Sequence, residues 1–127
     1  MNRSSFTILR VGVGITFLWI GILIFRDPAG WSQLIQPWAA HLIPGSLTLA
    51  MEQTAVLDIV IGFLLIIGVW TWLASLLAAL HLIIVLVTTG ISDITCRDVG
   101  LLAASIAIMI ESKAFGWVPK WVPGKHN

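Results

Sequence analysis

The chain carries very little charge. Only 10% of its 127 residues are Asp, Glu, Lys or Arg, against about 25% in an ordinary globular domain. The net charge is +1 and the basic residues are scattered, which argues against a nucleic-acid partner. The single cysteine, Cys96, excludes both an intramolecular disulfide and a CxxC motif. The three histidines stand apart without metal-ligand spacing, so we predict no metal site.

Apolar residues, in contrast, make up 58% of the chain. A soluble fold of this size leaves too much surface exposed to hide them, whereas lipid accepts them. Four apolar segments are long enough to cross about 30 Å of hydrocarbon: 6–25, 50–68, 72–91 and 97–114. Backbone groups in lipid must bond within their own segment, so helices are favoured over strands. We predict an all-α fold, a single membrane domain over residues 1–127 built as a bundle of four transmembrane helices.

The stretch between the first two segments has a different pattern. Arg26-Asp27-Pro28 ends the first helix, and apolar residues then recur at helical spacing over residues 31–43. This predicts a short amphipathic helix in the membrane interface, with a short re-entrant segment as the alternative. Residues 115–127 contain the triplet Trp-Val-Pro twice, which predicts an extended tail along the interface.

The basic residues predict the orientation of the chain. One side of the membrane would receive five of them: Arg3, Arg10, Lys113, Lys120 and Lys125. The other side would receive two, Arg26 and Arg97. Because Lys and Arg are enriched in cytoplasmic loops, we expect a multi-pass protein of the cytoplasmic (inner) membrane with both termini in the cytoplasm.

A buried polar pair is predicted at the centre of the membrane. An ionisable side chain in hydrocarbon costs at least about 2.5 kcal/mol, so it should face a partner or a cavity. The second and third segments join at a tight turn near Trp70; Asp58 precedes that residue by 12 positions and His81 follows it by 11. The two side chains should therefore lie at nearly equal depth. A clamp between helices and a proton-handling or ligand site are both consistent with this pair.

Two further polar groups are predicted nearer the membrane surfaces. Arg10 and Glu111 each lie about one turn inside the cytoplasmic end of their helices, so a structural ion pair between them is expected. At the outer surface we expect a polar cluster of four charged residues: Glu52, Asp93, Arg97 and Asp98. Solvation of helix ends is the simpler interpretation of that cluster.

Several short motifs resemble the DoxX family of small membrane proteins. They lie in the first, second and fourth predicted helices and in the loop between the first two: Arg10-Val11-Gly12, Gly21, Trp31 to Trp38, the AVLDIVIG run at 55–62, and RDVGLL at 97–102. The resemblance implies similarity to the small membrane subunit of an archaeal thiosulfate:quinone oxidoreductase, and other family members are linked to oxidative-stress complexes. It transfers no catalytic motif to this chain, and the thiosulfate chemistry requires a partner subunit.

Three functions are compatible with these patterns. The first is a redox-associated membrane subunit that contacts quinone, a cofactor to which Asp58 and His81 could offer hydrogen bonds and a proton route. The second is a non-catalytic scaffold or assembly factor whose polar pairs only fasten helices. The third, a small transporter, is disfavoured because no inverted repeat is visible. The sequence predicts the lipid bilayer as surroundings and leaves open whether the chain is an enzyme and whether it binds a protein partner or a second copy of itself.

Overall fold

The computed structural model describes residues 2–90, 92 and 95–114, with side chains up to Ser112. Within these residues the chain is all-helical and contains no strand. Six helices follow one another along the sequence: α1 (Arg3–Arg26), α2 (Pro28–Ser32), α3 (Pro37–Ala40), α4 (Leu47–Ile67), α5 (Thr71–Thr89) and α6 (Cys96–Ala114). The predicted extended tail and Asp93 of the predicted outer cluster lie outside the described residues.

Three of the described helices are long and apolar enough to cross a membrane. They are α1, α4 and α5, with mean hydropathies of 2.3, 1.9 and 2.2. The helix α6 has charged residues near both ends, so only about 18 Å of it lies between Asp98 and Glu111 at 1.5 Å per residue. Its place as a fourth transmembrane helix is therefore not established by length and composition.

The distribution of large and small residues supports a lipid environment. Small side chains lie in the interior of the packed helices beside larger ones such as Phe17 and Leu65, and Ala55, Ala74 and Ala78 are completely buried there. Large apolar side chains such as Phe63 and Ile84 are more than half exposed on the outside. A water-soluble protein of this size rarely exposes so much contiguous apolar surface. Membrane helices, in contrast, place small residues at their interfaces and large apolar ones toward lipid.

The helix α1 packs closely against α4 in antiparallel register. Gly14 faces Gly62, and Gly21, about two turns further along α1, faces Ala55. A Cβ atom added at Gly62 would lie 2.6 Å from the Gly14 carbonyl oxygen and 2.5 Å from the Leu18 amide nitrogen. The two backbones therefore touch directly, an approach that glycine permits. The other closely packed pair is α5 with α6, while α4 packs less extensively against α5.

Residues 31–43 do not form the single amphipathic helix that the sequence predicted. They contain instead the end of α2 and the whole of α3, two short helices joined by a turn, each with a proline in its first turn. Pro37 has no amide hydrogen, and Gln36 before it is extended with ψ of 146°, so the helix cannot continue through this point. The freed Gln36 amide donates a 2.9 Å hydrogen bond to the Thr88 carbonyl at the end of α5. We call residues 28–43 the cover segment.

Candidate functional site

A cavity of about 230 Å³ lies among the ends of the long helices, beneath the cover segment. Its wall is mostly apolar and comes from α1, α4, α5, the start of α6 and the cover segment, with Phe17, Ile24 and Leu82 among the lining side chains. The polar groups that reach it are few: Thr54, Asp58, His81, Thr88, Thr89, Thr95, Arg97 and Asp98. An apolar cavity with a few convergent polar groups is the usual form of a small-molecule site.

Asp58 and His81, which the sequence placed at equal depth, lie side by side on the cavity wall. The Nε2 atom of His81 is 3.0 Å from Oδ1 of Asp58, and the two side chains are only 11% and 4% exposed. Both residues stand near the middle of their helices, α4 and α5. The structure brings this predicted pair together, and its role as a functional site stays a prediction.

Nε2 of His81 approaches Oδ1 of Asp58 closely, but without the alignment of a hydrogen bond. Although Nε2 and Oδ1 are 3.0 Å apart, Oδ1 of Asp58 is completely buried and has no hydrogen-bond partner among the described residues. A ring N–H lies in the imidazole plane, and a short distance without alignment does not make a hydrogen bond. Oδ1 of Asp58 is thus enclosed beside the His81 ring.

Arg97 and Asp98 of the predicted outer cluster both line this cavity. Asp98 is buried, its Oδ1 lies 3.5 Å from Nε of Arg97, and it interacts electrostatically with both Asp58 and His81. The Arg97 guanidinium also lies over the Trp31 ring of the cover segment, 5.7 Å from its centroid. A cation over an indole face is attracted to the ring. This contact joins the start of α6 to the cover segment at the rim of the cavity.

Glu52, the remaining described residue of the predicted outer cluster, does not line this cavity. Glu52 lines a shallow apolar groove on the outside of α4, together with Phe25 and Val56. It therefore does not share the cavity with Arg97 and Asp98. Charged residues at equal depth in the membrane do not cluster when their side chains point in different directions.

Arg10 caps the end of α4. Its Nη1 atom donates hydrogen bonds to the carbonyl oxygens of Leu65 and, at 3.0 Å, Ile66. The last carbonyls of a helix have no partner within the helix, and the negative end of the helix dipole attracts a cation there. The sequence suggested Glu111 as the partner of Arg10, and that ion pair stays a prediction.

The loop between α5 and α6 contributes a residue that the sequence did not single out. Thr95 is buried, and its hydroxyl donates a 2.7 Å hydrogen bond to the Gly90 carbonyl while accepting one from the Ser92 amide. These bonds close the connection and place Asp98, one turn later, at the cavity. A Ser or Thr just before a helix is a recognisable start signal, so this residue could have been found.

The cavity combines groups of opposite hydrogen-bonding character. Asp58 and Asp98 supply carboxylate oxygens, Arg97 supplies N–H donors, and His81 can do either. Among the described residues no group of three or more His, Cys, Asp or Glu side chains is placed to hold a metal ion. The arrangement offers both donors and acceptors to a small molecule that carries polar atoms.

Three apolar helices of membrane-spanning length, packed around a largely apolar cavity with a few polar groups, define a multi-pass membrane protein. A sequence model of the DoxX family matches residues 5–91, more than half of the chain, and the chain belongs to that family. The match contains Asp58 and His81 and ends before α6, so Arg97 and Asp98 lie outside it. No curated protein and no solved structure matches the chain.

Proposed function

We propose that this DoxX-family protein is a redox-associated membrane subunit that binds the ring of a quinone-type molecule in the cavity beside Asp58 and His81. The observation that carries the proposal is the cavity itself. It is largely apolar, it lies at the depth of a buried ionisable pair, and it has both donors and acceptors on its wall. Electrons would have to come from a partner protein.

The size of the cavity fits the ring and excludes the rest of such a molecule. An apolar cavity of about 150 Å³ binds benzene, so about 230 Å³ accommodates one ring with small substituents. Sites for drug-sized ligands are larger, about 300 to 1,000 Å³. An isoprenoid tail would therefore lie outside the cavity, in contact with lipid. The imidazole of His81 has one nitrogen that can donate a hydrogen bond and one that can accept, so it can bond either a carbonyl or a hydroxyl of the ring.

The same proposal includes four membrane crossings with both termini in the cytoplasm of an inner membrane. The start of α1 lies beside the end of α4, and the ends of α1 and α5 meet the start of α6 at the cavity. If α6 also crosses, the basic residues Arg3 and Lys113 fall on one side, as the positive-inside rule requires. Reporter fusions after residues 1 and 114 should then respond as cytoplasmic. Opposite responses from the two fusions would reject a crossing by α6.

Binding can be tested through the fluorescence of Trp31, which lines the cavity. Protein in lipid nanodiscs would be titrated with trimethylbenzoquinone, because a quinone close to an indole quenches its emission. We expect a saturable phase of quenching that disappears in Trp31→Phe. The matched control is Trp38→Phe, in the same cover segment but half-exposed and not on the cavity wall. Quenching that never saturates would contradict a bound site.

Two further variants separate this proposal from the scaffold alternative. Asp58→Asn and His81→Leu should lose most of the saturable phase and keep the helical circular dichroism spectrum. Glu52→Gln makes the same chemical change on the same helix outside the cavity, and His41→Leu changes an exposed histidine. Both controls should bind normally. If Asp58→Asn and His81→Leu bind as well as the original protein and lose only thermal stability, the pair is a clamp between helices.

A further inference from the structure

We infer that Thr54 binds the ring of the ligand by donating its hydroxyl hydrogen to a carbonyl oxygen, and so fixes the orientation of the ring in the cavity. The inference rests on the proposed function and names a further residue of the same site. It starts from the four described threonines that line the cavity, Thr54, Thr88, Thr89 and Thr95. In an apolar cavity the few polar side chains, hydroxyls included, orient a ligand and select it.

Three of these hydroxyls already have an acceptor for their hydrogen. Each donates to a backbone carbonyl: Thr88 to Ile84 at 2.9 Å, Thr89 to Val85 at 2.6 Å and Thr95 to Gly90 at 2.7 Å. A helical threonine commonly forms such a bond with the carbonyl one turn earlier. A hydroxyl has one hydrogen to donate, so these three can offer a ligand only the lone pairs of their oxygens.

Thr54 differs from the other three. Its hydroxyl makes no hydrogen bond within the part of the chain that the structure describes, not even with the Ala50 carbonyl one turn earlier. Thr54 is partly buried, and its hydroxyl oxygen keeps accessible surface, unlike the enclosed Oδ1 of Asp58 and the enclosed hydroxyl of Ser105. Thr54 stands four residues before Asp58 on α4, so the two share one face of the helix. The accessible hydroxyl of Thr54 therefore lies on the side of α4 that forms the cavity wall.

The strongest donor on the cavity wall, Arg97, is already engaged. Its Nε atom lies 3.5 Å from Oδ1 of Asp98, and its guanidinium lies over the Trp31 ring at the rim. A quinone carbonyl only accepts hydrogen bonds, and leaving it without a donor in an apolar cavity costs free energy. Among the described residues, Thr54 thus offers such a carbonyl a hydroxyl hydrogen that no protein group already accepts.

The test measures how tightly trimethylbenzoquinone binds in nanodiscs, through the quenching of Trp31 fluorescence. Thr54→Val keeps nearly the same side-chain shape and removes the hydroxyl. Because a hydrogen bond between neutral groups contributes modestly, we expect Thr54→Val to bind the quinone about two- to tenfold more weakly. Thr54→Ser keeps the hydroxyl and should bind nearly as tightly as the original protein. The matched control is Thr88→Val, which makes the same change on the cavity wall where the hydroxyl already has its acceptor, and it should bind normally.

Infrared difference spectra of the bound quinone report the hydrogen bond itself. A carbonyl that accepts a hydrogen bond absorbs at a lower frequency than one that does not. The original protein, Thr54→Ser and Thr88→Val should show a lowered carbonyl band, and in Thr54→Val this band should return toward its frequency in lipid. Thr54→Ala removes the hydroxyl in a second way and should match Thr54→Val, so a folding defect in one of the two, seen by circular dichroism, leaves the other to decide.

The possible outcomes separate this inference from the proposed function. Unchanged affinity and an unchanged carbonyl band in Thr54→Val would overturn the inference and leave the proposed function standing. Equal losses of affinity in Thr54→Val and Thr54→Ser would mean that the side chain only packs against the ring, which overturns its role as a donor. If the original protein shows no saturable quenching, the proposed function itself fails.

Discussion

The close contact between α1 and α4 makes a quantitative prediction about stability. The perturbation is Gly62→Ala, which adds one methyl group where the backbones of the two helices touch. The new Cβ atom would lie 2.5 Å from the Leu18 amide nitrogen and 2.6 Å from the Gly14 carbonyl oxygen. Both neighbours are backbone atoms, so neither can rotate away. Since carbon contacts are most favourable at about 3.5 to 4.0 Å, the helices must separate by about 1 Å.

The matched control is Gly12→Ala on α1, where a Cβ atom meets nothing within 4 Å. Replacing a helical glycine by alanine stabilises the helix by about 0.5 to 1 kcal/mol, and this gain applies to both variants. The difference in free energy of unfolding between the two variants therefore measures only the steric contact between position 62 and the backbone of α1. Overpacking in a close-packed interior costs about 1 to 3 kcal/mol, and a backbone contact belongs at the upper end of that range. We expect Gly62→Ala to be about 3 kcal/mol less stable than Gly12→Ala.

The measurement is reversible unfolding in mixed micelles, in which a denaturing detergent is titrated and helix content is followed by circular dichroism. Gly100→Ala on α6, another open position, gives a second reference. Equal stability of Gly62→Ala and Gly12→Ala would refute the direct backbone contact between α1 and α4.

Two other variants test local contacts. Arg10→Met leaves the carbonyls of Leu65 and Ile66 without their side-chain donor, so it should lower the free energy of unfolding by about 1 to 3 kcal/mol. The control, Arg3→Met, should leave the free energy of unfolding nearly unchanged in the same titration. Ser46→Ala removes the cap that accepts from the Leu49 amide at 3.1 Å and should cost about 1 kcal/mol in the same experiment; an unchanged midpoint would mean that this helix start contributes nothing.

The parts of the site that could be predicted from sequence are those fixed by local geometry. A tight turn between two helices sets the depth of every residue on both, so counting from Trp70 placed Asp58 opposite His81. The turn in the structure contains Gly68 with φ of +77° and Trp70 with φ of +49°, both in the left-handed region. Counting works here because so few residues separate the helices.

Other contacts depend on how the helices rotate and approach one another, which residue counting does not determine. Arg97 and Asp98 turn into the cavity because Thr95 closes the loop before them. Arg10 donates to two backbone carbonyls at the end of α4, and a backbone carbonyl has no signature in a sequence. In the cover segment, the amphipathic spacing of residues 31–43 predicts one helix, whereas Pro37 interrupts it and starts a new one.

The uneven packing of the four long helices has a consequence for motion. The two closely packed pairs, α1 with α4 and α5 with α6, meet along a less extensive interface, and Asp58 and His81 stand on opposite sides of it. We expect this interface to open more readily than either pair deforms. A small rotation of one pair against the other would widen the cavity and separate the Asp58 carboxylate from the His81 imidazole in a single movement. Binding of a molecule in the cavity would then be coupled to the contact between these two side chains.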